Sequence, residues 1–452
     1  MRFVSTRNPQ EEVDFEEAVF HGLAPDGGLY VPTSTPDLSK LFRSFSEESS
    51  FTQIAAAMTA ALLPDLDQPE RLAERAFPFA PVISVFPSGS GGMSLLELFH
   101  GPSCAFKDFG ASFLAAVMEQ LLARRGEKVV ILTATSGDTG SAVARAFLGK
   151  KGIDVVILYP SERVSPLQEK QLTTLGGNVL ALEVLGSFDD CQRMVKEAFL
   201  EPRLREKLAL SSANSINLGR LLPQSFYYVW AWAQRGRSHD LYFSVPSGNF
   251  GNLTSGVLAW KWGLPVSGFI AATNRNDVVP EYLRTGLFRP RPSVATYSNA
   301  MDVGNPSNFE RLESIFEGSR EAMHSILHEE VVSDAETVET IARIHRSTGI
   351  VLDPHTAVGY LAAERFLADG GARRALRAQE SRRGQPDGDR PIEIVTLATA
   401  HPGKFLEIVE EATGSRPALP AALAELKDRP KQSLLIESSV SALTKILLER
   451  FA

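Results

Sequence analysis

The stretch that decides the fold is LYFSVPSGNFGNLTSG, residues 241–256. Its first five residues are typical of a buried strand, and a helix is expected after residue 252. Between them lies SGNFGN (residues 247–252), whose two glycines let the backbone approach an anion closely. The free N–H groups and the positive dipole end of the following helix favour a phosphate group there. An ordinary strand-to-helix turn has the same pattern, so the loop alone does not decide between the two interpretations.

The alternation of apolar strands and helices continues over most of the chain. Further strands are expected at residues 129–134, 154–159, 179–184, 269–272 and 392–397, with helices at 111–123 and 189–200. Continuous apolar strands separated by helices indicate parallel sheets that are covered on both faces. The sequence therefore predicts an α/β protein.

The chain is long enough for more than one domain, since 452 residues are about three times the usual domain size. We expect residues 1–85 to form a separate N-terminal unit, because prolines and the SGSGG segment (88–92) mark its exit. Residues 86–452 would form the main body. Near residues 370–391 the composition shifts to Gly, Arg, Gln and Asp, which predicts a mobile insertion with solvated arginines.

Composition excludes several classes of protein. With 44% hydrophobic and 22% charged residues, the chain is expected to be globular, and its net charge of −8 does not attract nucleic acid or a membrane. Any anion must therefore bind at a local site. Two cysteines indicate a reducing compartment. Without the apolar segment of a secretion signal at the start or a stretch long enough to cross a bilayer, we expect a cytoplasmic protein.

A second motif is AFKDFG, residues 105–110, at the start of a predicted helix. A lysine at a helix start opposes the helix dipole, which has little consequence for an exposed side chain. Between Phe106 and Phe109, however, Lys107 is expected to be partly buried. Burial lowers the pKa of a lysine and makes its amine a nucleophile or base. An exposed lysine with packed aromatic neighbours remains the alternative.

Two more motifs follow strands, TSGDTG (135–140) and TAHPGK (399–404). The carboxyl ends of parallel strands are where α/β proteins bind ligands. A phosphate cradle, a partly buried lysine and polar loops together suit a phosphorylated aldehyde cofactor held on the lysine. The chain lacks GxGxxG, GxxxxGK[ST] and GxSxG, and His324 and His328 have no third partner, so we expect neither those chemistries nor a metal.

At the level of the whole chain, the sequence resembles the threonine synthases of the longer bacterial and fungal type. The matching segments are STR (5–7), GLAPDGGLY (22–30), ELFHGP (97–102), FKD (106–108), TSGDTG (135–140), SPLQ (165–168), NSIN (214–217) with Arg220, GNFGN (248–252), NAMDVGNPSN (299–308), DPHTA (353–357) and TAHP (399–402). Their order and spacing make the resemblance specific. It implies a fold-type II pyridoxal-phosphate-dependent enzyme with two parallel-sheet subdomains and a smaller N-terminal domain.

The resemblance also implies a reaction, in which O-phospho-L-homoserine and water give L-threonine and phosphate with pyridoxal 5'-phosphate as cofactor. Lys107 would carry the cofactor and Thr399 would face its ring nitrogen. The residues that would hold the cofactor phosphate are Gly248, Asn249, Phe250, Gly251 and Asn252. The residues that would contact the substrate are Thr135, Ser136, Gly137, Asp138, Thr139, Asn214, Ser215, Arg220 and Arg163. Asp138 stands where related enzymes often have asparagine.

Two alternatives remain open at this point. Another enzyme of the same cofactor class, a threonine or serine dehydratase or a threonine-synthase-like phospholyase, would share the lysine and the glycine loop. Residues 214–220 and the N-terminal unit argue against a dehydratase. A catalytically inactive binding protein that kept the fold would have less reason to keep both Lys107 and the loop. The oligomeric state cannot be determined from the sequence, and a monomer is compatible with it. We expect one subdomain to close over the substrate.

Overall fold

The structure is a computed structural model that describes residues 1–86, 92–135, 137–370 and 390–452. The insertion predicted near residues 370–391 falls almost wholly outside these ranges, as does Ser136. The strands are β1 Phe3–Ser5, β2 Tyr30–Pro32, β3 Val82–Val85, β4 Met93–Glu97, β5 Val129–Ala134, β6 Ile153–Pro160, β7 Val179–Leu185, β8 Leu210–Ser212, β9 Asp240–Pro246, β10 Gly268–Thr273, β11 Leu327–Val331, β12 Ile392–Ala398 and β13 Ser433–Glu437.

Helices connect these strands and cover the sheets. They are α1 Phe15–His21, α2 Ser39–Ser44, α3 Phe51–Leu62, α4 Pro69–Ala76, α5 Lys107–Arg125, α6 Asp138–Phe147, α7 Pro166–Thr173, α8 Phe188–Leu200, α9 Pro202–Lys207, α10 Leu218–Leu221, α11 Gln224–Arg235, α12 Gly251–Lys261, α13 Val278–Thr285, α14 Phe309–Ile315, α15 Arg320–His324, α16 Asp334–Thr348, α17 Pro354–Ala368, α18 Leu406–Thr413, α19 Ala421–Ala424 and α20 Val440–Phe451. Short 3₁₀ turns lie at Asn299–Met301 and Pro402–Lys404.

Two large sheets form the body of the protein. One has the strand order β11-β10-β9-β12-β4-β3 and is parallel except for the edge strand β3, which runs antiparallel to β4. The other has the order β13-β7-β6-β5-β8 and is parallel throughout. Strands β1 and β2 form a small antiparallel pair. The predicted α/β class with two parallel-sheet subdomains and a smaller N-terminal part is confirmed, while the boundary at residue 85 stays a prediction.

Helix α5 is apolar on nearly all sides because it runs through the centre of the protein. Phe109 packs edge-on against Phe51 of α3 at 5.2 Å between ring centroids, and Phe113 stacks on Phe77 at 6.2 Å. Burial of a phenylalanine side chain stabilises the fold by about 1.5 to 3 kcal/mol. These contacts fix the helix between the N-terminal unit and the body, and so fix the position of its first residue, Lys107.

The topology brings several predicted loops to one edge of the six-stranded sheet. Strands β4 and β12 are parallel neighbours whose last residues, Glu97 and Ala398, are paired. Strand β12 is also paired with β9, which leads into the 247–252 loop. The carboxyl ends of these three strands therefore lie side by side.

Within the described residues, none of the helices combines the length and the apolar character needed to cross a bilayer.

Candidate active site

Lys107 and Thr399 are brought together by backbone pairing. After β4, the chain returns to the end of β12, where Ala105 forms an antiparallel bridge with Ala400. The backbone N–H of Phe106 donates to the carbonyl oxygen of Thr399 at 2.9 Å. Helix α5 begins at the next residue, Lys107, and Thr399 is buried. Two residues predicted to contact the same cofactor thus lie next to each other.

The Lys107 amine lies in an enclosed position. Its side chain is 16% exposed, and Nζ lies 3.9 Å from Asp138 Oδ2 and 5.4 Å from the centre of the Phe106 ring. Burial lowers the pKa of Lys107 to about 8; Asp138 opposes the change, and the charges of Lys404 and Arg220 add to it. The partial burial predicted from the sequence is present. About one tenth of the amine is therefore uncharged at pH 7, far more than for an ordinary lysine, and the uncharged form is the nucleophile or base.

Asp138, the first residue of α6, is held by a second lysine as well. Its Oδ1 lies 2.6 Å from Lys404 Nζ and accepts a hydrogen bond from Gln168 Nε2 at 2.9 Å. Burial acts to raise the pKa of Asp138, but the positive charges of Lys404 and Lys107 outweigh it and hold that pKa below its ordinary value. Asp138 is therefore a carboxylate at neutral pH. Lys404 ends the TAHPGK motif, but no local pattern predicts its pairing with Asp138.

The loop at residues 135–140 is shaped by Thr135. Its hydroxyl oxygen accepts the backbone N–H groups of Gly137 at 2.9 Å and Gly140 at 2.8 Å. Gly137 has φ +138°, and a Cβ there would lie 2.7 Å from the Gln168 side-chain carbonyl carbon. Thr139 is half-buried in the first turn of α6. Thr135, Gly137 and Thr139 thus flank Asp138 in the chain, and the roles predicted for residues 135–139 toward the substrate stay predictions.

The glycine loop after β9 is tightly packed. A Cβ on Gly248 would lie 2.5 Å from the Cα of Met301, so only glycine fits there without a shift of the backbone. Phe250 has φ +60°, in the left-handed region, and α12 begins at Gly251. The N–H groups of the first helical turn lack intrahelical acceptors and are available to an anion.

Two asparagines hold this loop in place. Asn249 Nδ2 donates to Ser215 Oγ at 2.7 Å, and its Oδ1 accepts from the Ser307 N–H at 2.5 Å. Asn252 Oδ1 accepts from Ser247 Oγ at 2.7 Å, and its Nδ2 donates to the Pro246 carbonyl at 2.9 Å. The side chain of Asn252 is therefore occupied by the loop itself, which leaves the backbone N–H groups as the donors for a phosphate.

The segment at residues 214–220 connects the two sheets. Asn214 Nδ2 donates to the Ala134 carbonyl at the end of β5 at 3.1 Å, and Ser215 is the partner of Asn249. Arg220 is buried; it donates to the Ala213 carbonyl at 2.7 Å and contacts the Lys107 carbonyl at 3.5 Å. Burial lowers the pKa of Arg220 to about 10. Within the described part of the chain, Asn214 Oδ1 and Arg220 Nε have no hydrogen-bond partner.

Arg163 lies in a different setting. It is exposed on the loop after β6, beside an open concavity lined by Glu162, Ser187 and Asp190. Among the described residues, no recorded contact joins its guanidinium group to Lys107 or to the glycine loop. Its assignment to the substrate stays a prediction.

Arg311 is a fully buried cation that connects the N-terminal unit to the site and that no motif in the sequence predicts. Its guanidinium group donates to the carbonyls of Tyr30 at 3.0 Å and Ser215 at 3.1 Å, and to Asn308 Oδ1 at 2.7 Å. Burial lowers the pKa of Arg311 to about 9. Asn308 belongs to the NPSN segment (residues 305–308) that matches the family, whereas Arg311 lies three residues beyond that segment. The role of Arg311 is to hold the segment that supports the glycine loop.

Asp108, next to Lys107, gives a testable pH dependence. Its Oδ2 accepts the Ser103 N–H at 2.9 Å, and burial raises its pKa from 3.8 to about 6. Because the folded state binds this proton more tightly than the unfolded state, the stability it contributes is complete below pH 3.8 and is lost as the pH rises through about 6. Asp108→Asn should remove this loss. The free energy of unfolding of the variant, relative to the wild type, should therefore rise by up to about 3 kcal/mol as the pH is raised from about 4 to about 7.5. Urea unfolding at both pH values measures the difference, and an equal offset at both would contradict the assignment.

The residues present fit a phosphorylated aldehyde cofactor. A lysine amine with a lowered pKa suits the aldehyde, the glycine cradle at the start of α12 suits the phosphate, and the buried Thr399 hydroxyl suits a ring nitrogen. The fold and the site together define a pyridoxal-phosphate-dependent enzyme. In agreement, the family described as pyridoxal-phosphate dependent enzyme matches residues 94–376.

More specific similarities cover the rest of the chain. The families described as threonine synthase N terminus and threonine synthase C-terminal match residues 2–74 and 356–447. The threonine synthases of Escherichia coli K12 and Serratia marcescens are 42% and 41% identical, each over 99% of both chains. The crystal structure of PLP-bound threonine synthase from Brucella melitensis superimposes with a TM-score of 0.87 at 33% identity, over 99% of both chains. The chain belongs to the threonine synthase family, and its cofactor is pyridoxal 5'-phosphate.

Proposed function

We propose that this chain converts O-phospho-L-homoserine and water to L-threonine and phosphate. The observation that carries the proposal is the Lys107 amine, which has a pKa of about 8, lies 3.9 Å from Asp138 and extends from a helix whose preceding residue is hydrogen-bonded to the Thr399 carbonyl. The names of the relatives support threonine as the product. The tight packing of the glycine loop, in which a Cβ on Gly248 would meet Met301, supports its assignment as the cradle of the cofactor phosphate.

Each part of the cofactor would have a partner in the proposed arrangement. Lys107 Nζ would hold the aldehyde carbon, and the backbone N–H groups of residues 248–252 would hold the phosphate. Thr399 would place its hydroxyl at the ring nitrogen. When bound, the cofactor supplies an electron sink for the carbon atoms of the substrate.

Lys107 is the residue that moves protons. Its Nζ takes the proton from the substrate Cα and returns protons to carbon, because its pKa is near the working pH. The packing of α5 fixes the backbone from which the side chain extends, which keeps the amine near the reacting carbons. Asp138 stabilises the charged form of the amine each time it holds a proton.

The substrate phosphate requires donors because a dianion is costly to desolvate without partners. We assign this role to Asn214, Ser215 and Arg220, with residues 135–139 at the substrate carboxylate. Arg220 supports the assignment because its Nε is buried and lacks a partner among the described residues. Arg163 is retained as the second arginine candidate.

Comparing the two arginines tests this assignment. Arg220→Met should raise the KM for O-phospho-L-homoserine at least about 30-fold, because a buried charge partner of the phosphate is lost. The matched variant Arg163→Met, at an exposed position, should change KM less than about threefold. Steady-state kinetics measures both, with the cofactor dissociation constant as a check on the fold of the site. A larger effect at Arg163 than at Arg220 would reverse the assignment.

Product analysis tests the reaction itself. The purified protein, loaded with pyridoxal phosphate and given O-phospho-L-homoserine, should release L-threonine and inorganic phosphate in equal amounts. Formation of 2-oxobutanoate in place of threonine would indicate a lyase of the dehydratase kind and would overturn the proposal. No formation of either product would favour an inactive member of the fold.

We further propose that the enzyme works in the cytoplasm, and that it does so as a monomer. Both cysteines, Cys104 and Cys191, are buried and free, which is compatible with a reducing compartment. Burial raises the pKa of the Cys104 thiol to about 11, which keeps it protonated and unreactive. Sedimentation analysis at micromolar concentration measures the assembly state directly.

A further inference from the structure

Lys404 is a buried cation to which the proposed reaction gives no task. Its side chain is 0% exposed at the end of the 3₁₀ turn Pro402–Lys404. Nζ lies 2.6 Å from Asp138 Oδ1 and donates to the Ser103 carbonyl at 3.0 Å. Burying an ammonium group is costly unless a counter-charge and hydrogen bonds compensate. The ion pair with Asp138 offsets that cost. The effect of Lys404 is therefore to be found in the charge and orientation of the Asp138 carboxylate.

The two oxygens of Asp138 have different partners. Oδ1 is engaged by both Lys404 Nζ at 2.6 Å and Gln168 Nε2 at 2.9 Å. Oδ2 faces Lys107 Nζ at 3.9 Å. Lys404 and Gln168 therefore fix the plane of the carboxylate and direct its second oxygen at the catalytic amine.

The charges around Lys107 show why a second cation is needed. Asp138, Lys404 and Arg220 act on its amine, and Asp108 lies next to it in sequence with its carboxylate on the Ser103 N–H. If Lys107 were the only counter-charge of Asp138, the two would form a buried ion pair that resists loss of the proton. With Lys404 present, Asp138 has a counter-charge even when Lys107 is neutral.

We propose that Lys404 is a positioning residue that serves as the permanent counter-charge of Asp138, so that Asp138 stays ionised and oriented whether or not Lys107 holds a proton. This inference rests on the proposed function for the role of Lys107. Lys404 itself touches neither substrate nor reacting atoms in this scheme. It acts through Asp138 on the proton affinity of Lys107.

The wild-type protein provides the first test. The full-length chain, freed of its cofactor, is labelled with acetic anhydride over a range of pH, and the modified Lys107 peptide is quantified by mass spectrometry. The labelling midpoint of Lys107 should lie near pH 8. A midpoint at or above 10.5, the ordinary value for lysine, would mean that Lys107 and Asp138 form a simple ion pair, and it would overturn the proposal. This arm needs no variant to fold.

Variants separate charge from structure. Lys404→Met should raise the Lys107 midpoint by about one pH unit or more, because Lys107 becomes the only cation on Asp138. Gln168→Leu is the matched control, since it removes a neutral hydrogen bond to the same oxygen, and it should move the midpoint by less than half as much. Lys404→Arg keeps the charge and should return the midpoint toward the wild-type value. Equal shifts in Lys404→Met and Gln168→Leu, or a fall of the midpoint in Lys404→Met, would overturn the proposal.

The labelling experiment uses no substrate, which separates this inference from the proposed function. If the wild type makes threonine but the midpoints do not move as expected, only the role of Lys404 falls. If the midpoints move as expected but no threonine forms, the proposed reaction falls and the charge arrangement stands. A pH titration of the visible absorbance of the cofactor-loaded protein gives a second readout, in which Lys404→Met should shift the transition and Gln168→Leu should leave it near the wild-type position.

Discussion

Lys107→Ala is expected to lower the turnover of O-phospho-L-homoserine at least about 1,000-fold, because the variant loses both the attachment point of the cofactor and the proton carrier. The substitution removes an amine whose side chain is 16% exposed at the start of a rigid helix, so no other group can take its place without moving the backbone. Phosphate release under saturating substrate measures the loss. The visible absorbance of the bound cofactor should change at the same time.

The control for this variant is Lys128→Ala. Lys128 is exposed just before β5, and its loss should leave turnover within about twofold of the wild type. Thermal unfolding of both variants checks that the fold is intact. Full turnover in Lys107→Ala would contradict the role assigned to the lysine, whatever the behaviour of the control.

Gly248→Ala is expected to weaken binding of pyridoxal phosphate at least about 10-fold. The added Cβ would lie 2.5 Å from the Cα of Met301, a contact that only a shift of the loop or of the Asn299–Met301 turn can relieve. Overpacking of this kind costs about 1 to 3 kcal/mol, and here the displaced atoms are those that shape the phosphate cradle. Fluorescence titration of the cofactor-free chain with pyridoxal phosphate measures the dissociation constant.

A glycine elsewhere in the chain serves as the control. Gly414 ends α18 with φ +75° and open space around it, and asparagine is tolerated in that conformation. Gly414→Asn should leave the dissociation constant unchanged within about twofold. Equal affinity in Gly248→Ala and the wild type would mean that the loop is an ordinary strand-to-helix turn.

Much of the fold could be predicted from the sequence because its strands are short runs of apolar residues. The prediction of a strand at residues 129–134 matches β5, which is buried along its whole length, and the strand predicted at 392–397 is one residue longer in the structure. Edge strands gave weaker signals. Val82 and Val85 in β3 and Leu435 in β13 are exposed, so these strands lack the alternation that marks a half-covered sheet.

Helix α5 shows how packing overrides local preference. The sequence predicts a helix over residues 111–123 that is opened by residues 105–110, whereas the helix itself begins at Lys107. A Cβ at position 110 would lie 2.6 Å from the Arg220 carbonyl oxygen, so glycine is needed for the close approach of that segment. The contact between distant parts of the chain is invisible to a local pattern, and it places Lys107 on the helix itself.

The residues of the candidate site also fall into two groups, those that a local motif predicts and those that only the folded chain brings together. Motifs with a local mechanism, such as the glycine loop and the lysine between aromatic residues, could be identified from the sequence. Contacts of buried cations with distant segments could not, and the two that matter for function are the ion pair of Lys404 with Asp138 and the hydrogen bond from Arg311 to the Tyr30 carbonyl. Both contacts bury a cation, which requires a partner that only the folded chain supplies.

The fate of the water oxygen distinguishes the proposed reaction from its alternatives. The wild-type protein is loaded with pyridoxal phosphate and given O-phospho-L-homoserine in water enriched in oxygen-18, and the products are analysed by mass spectrometry. We expect one heavy oxygen in L-threonine and none in the phosphate, because the C–O bond breaks and water adds to carbon. Heavy oxygen in the phosphate together with homoserine, or 2-oxobutanoate as the carbon product, would contradict the proposed reaction.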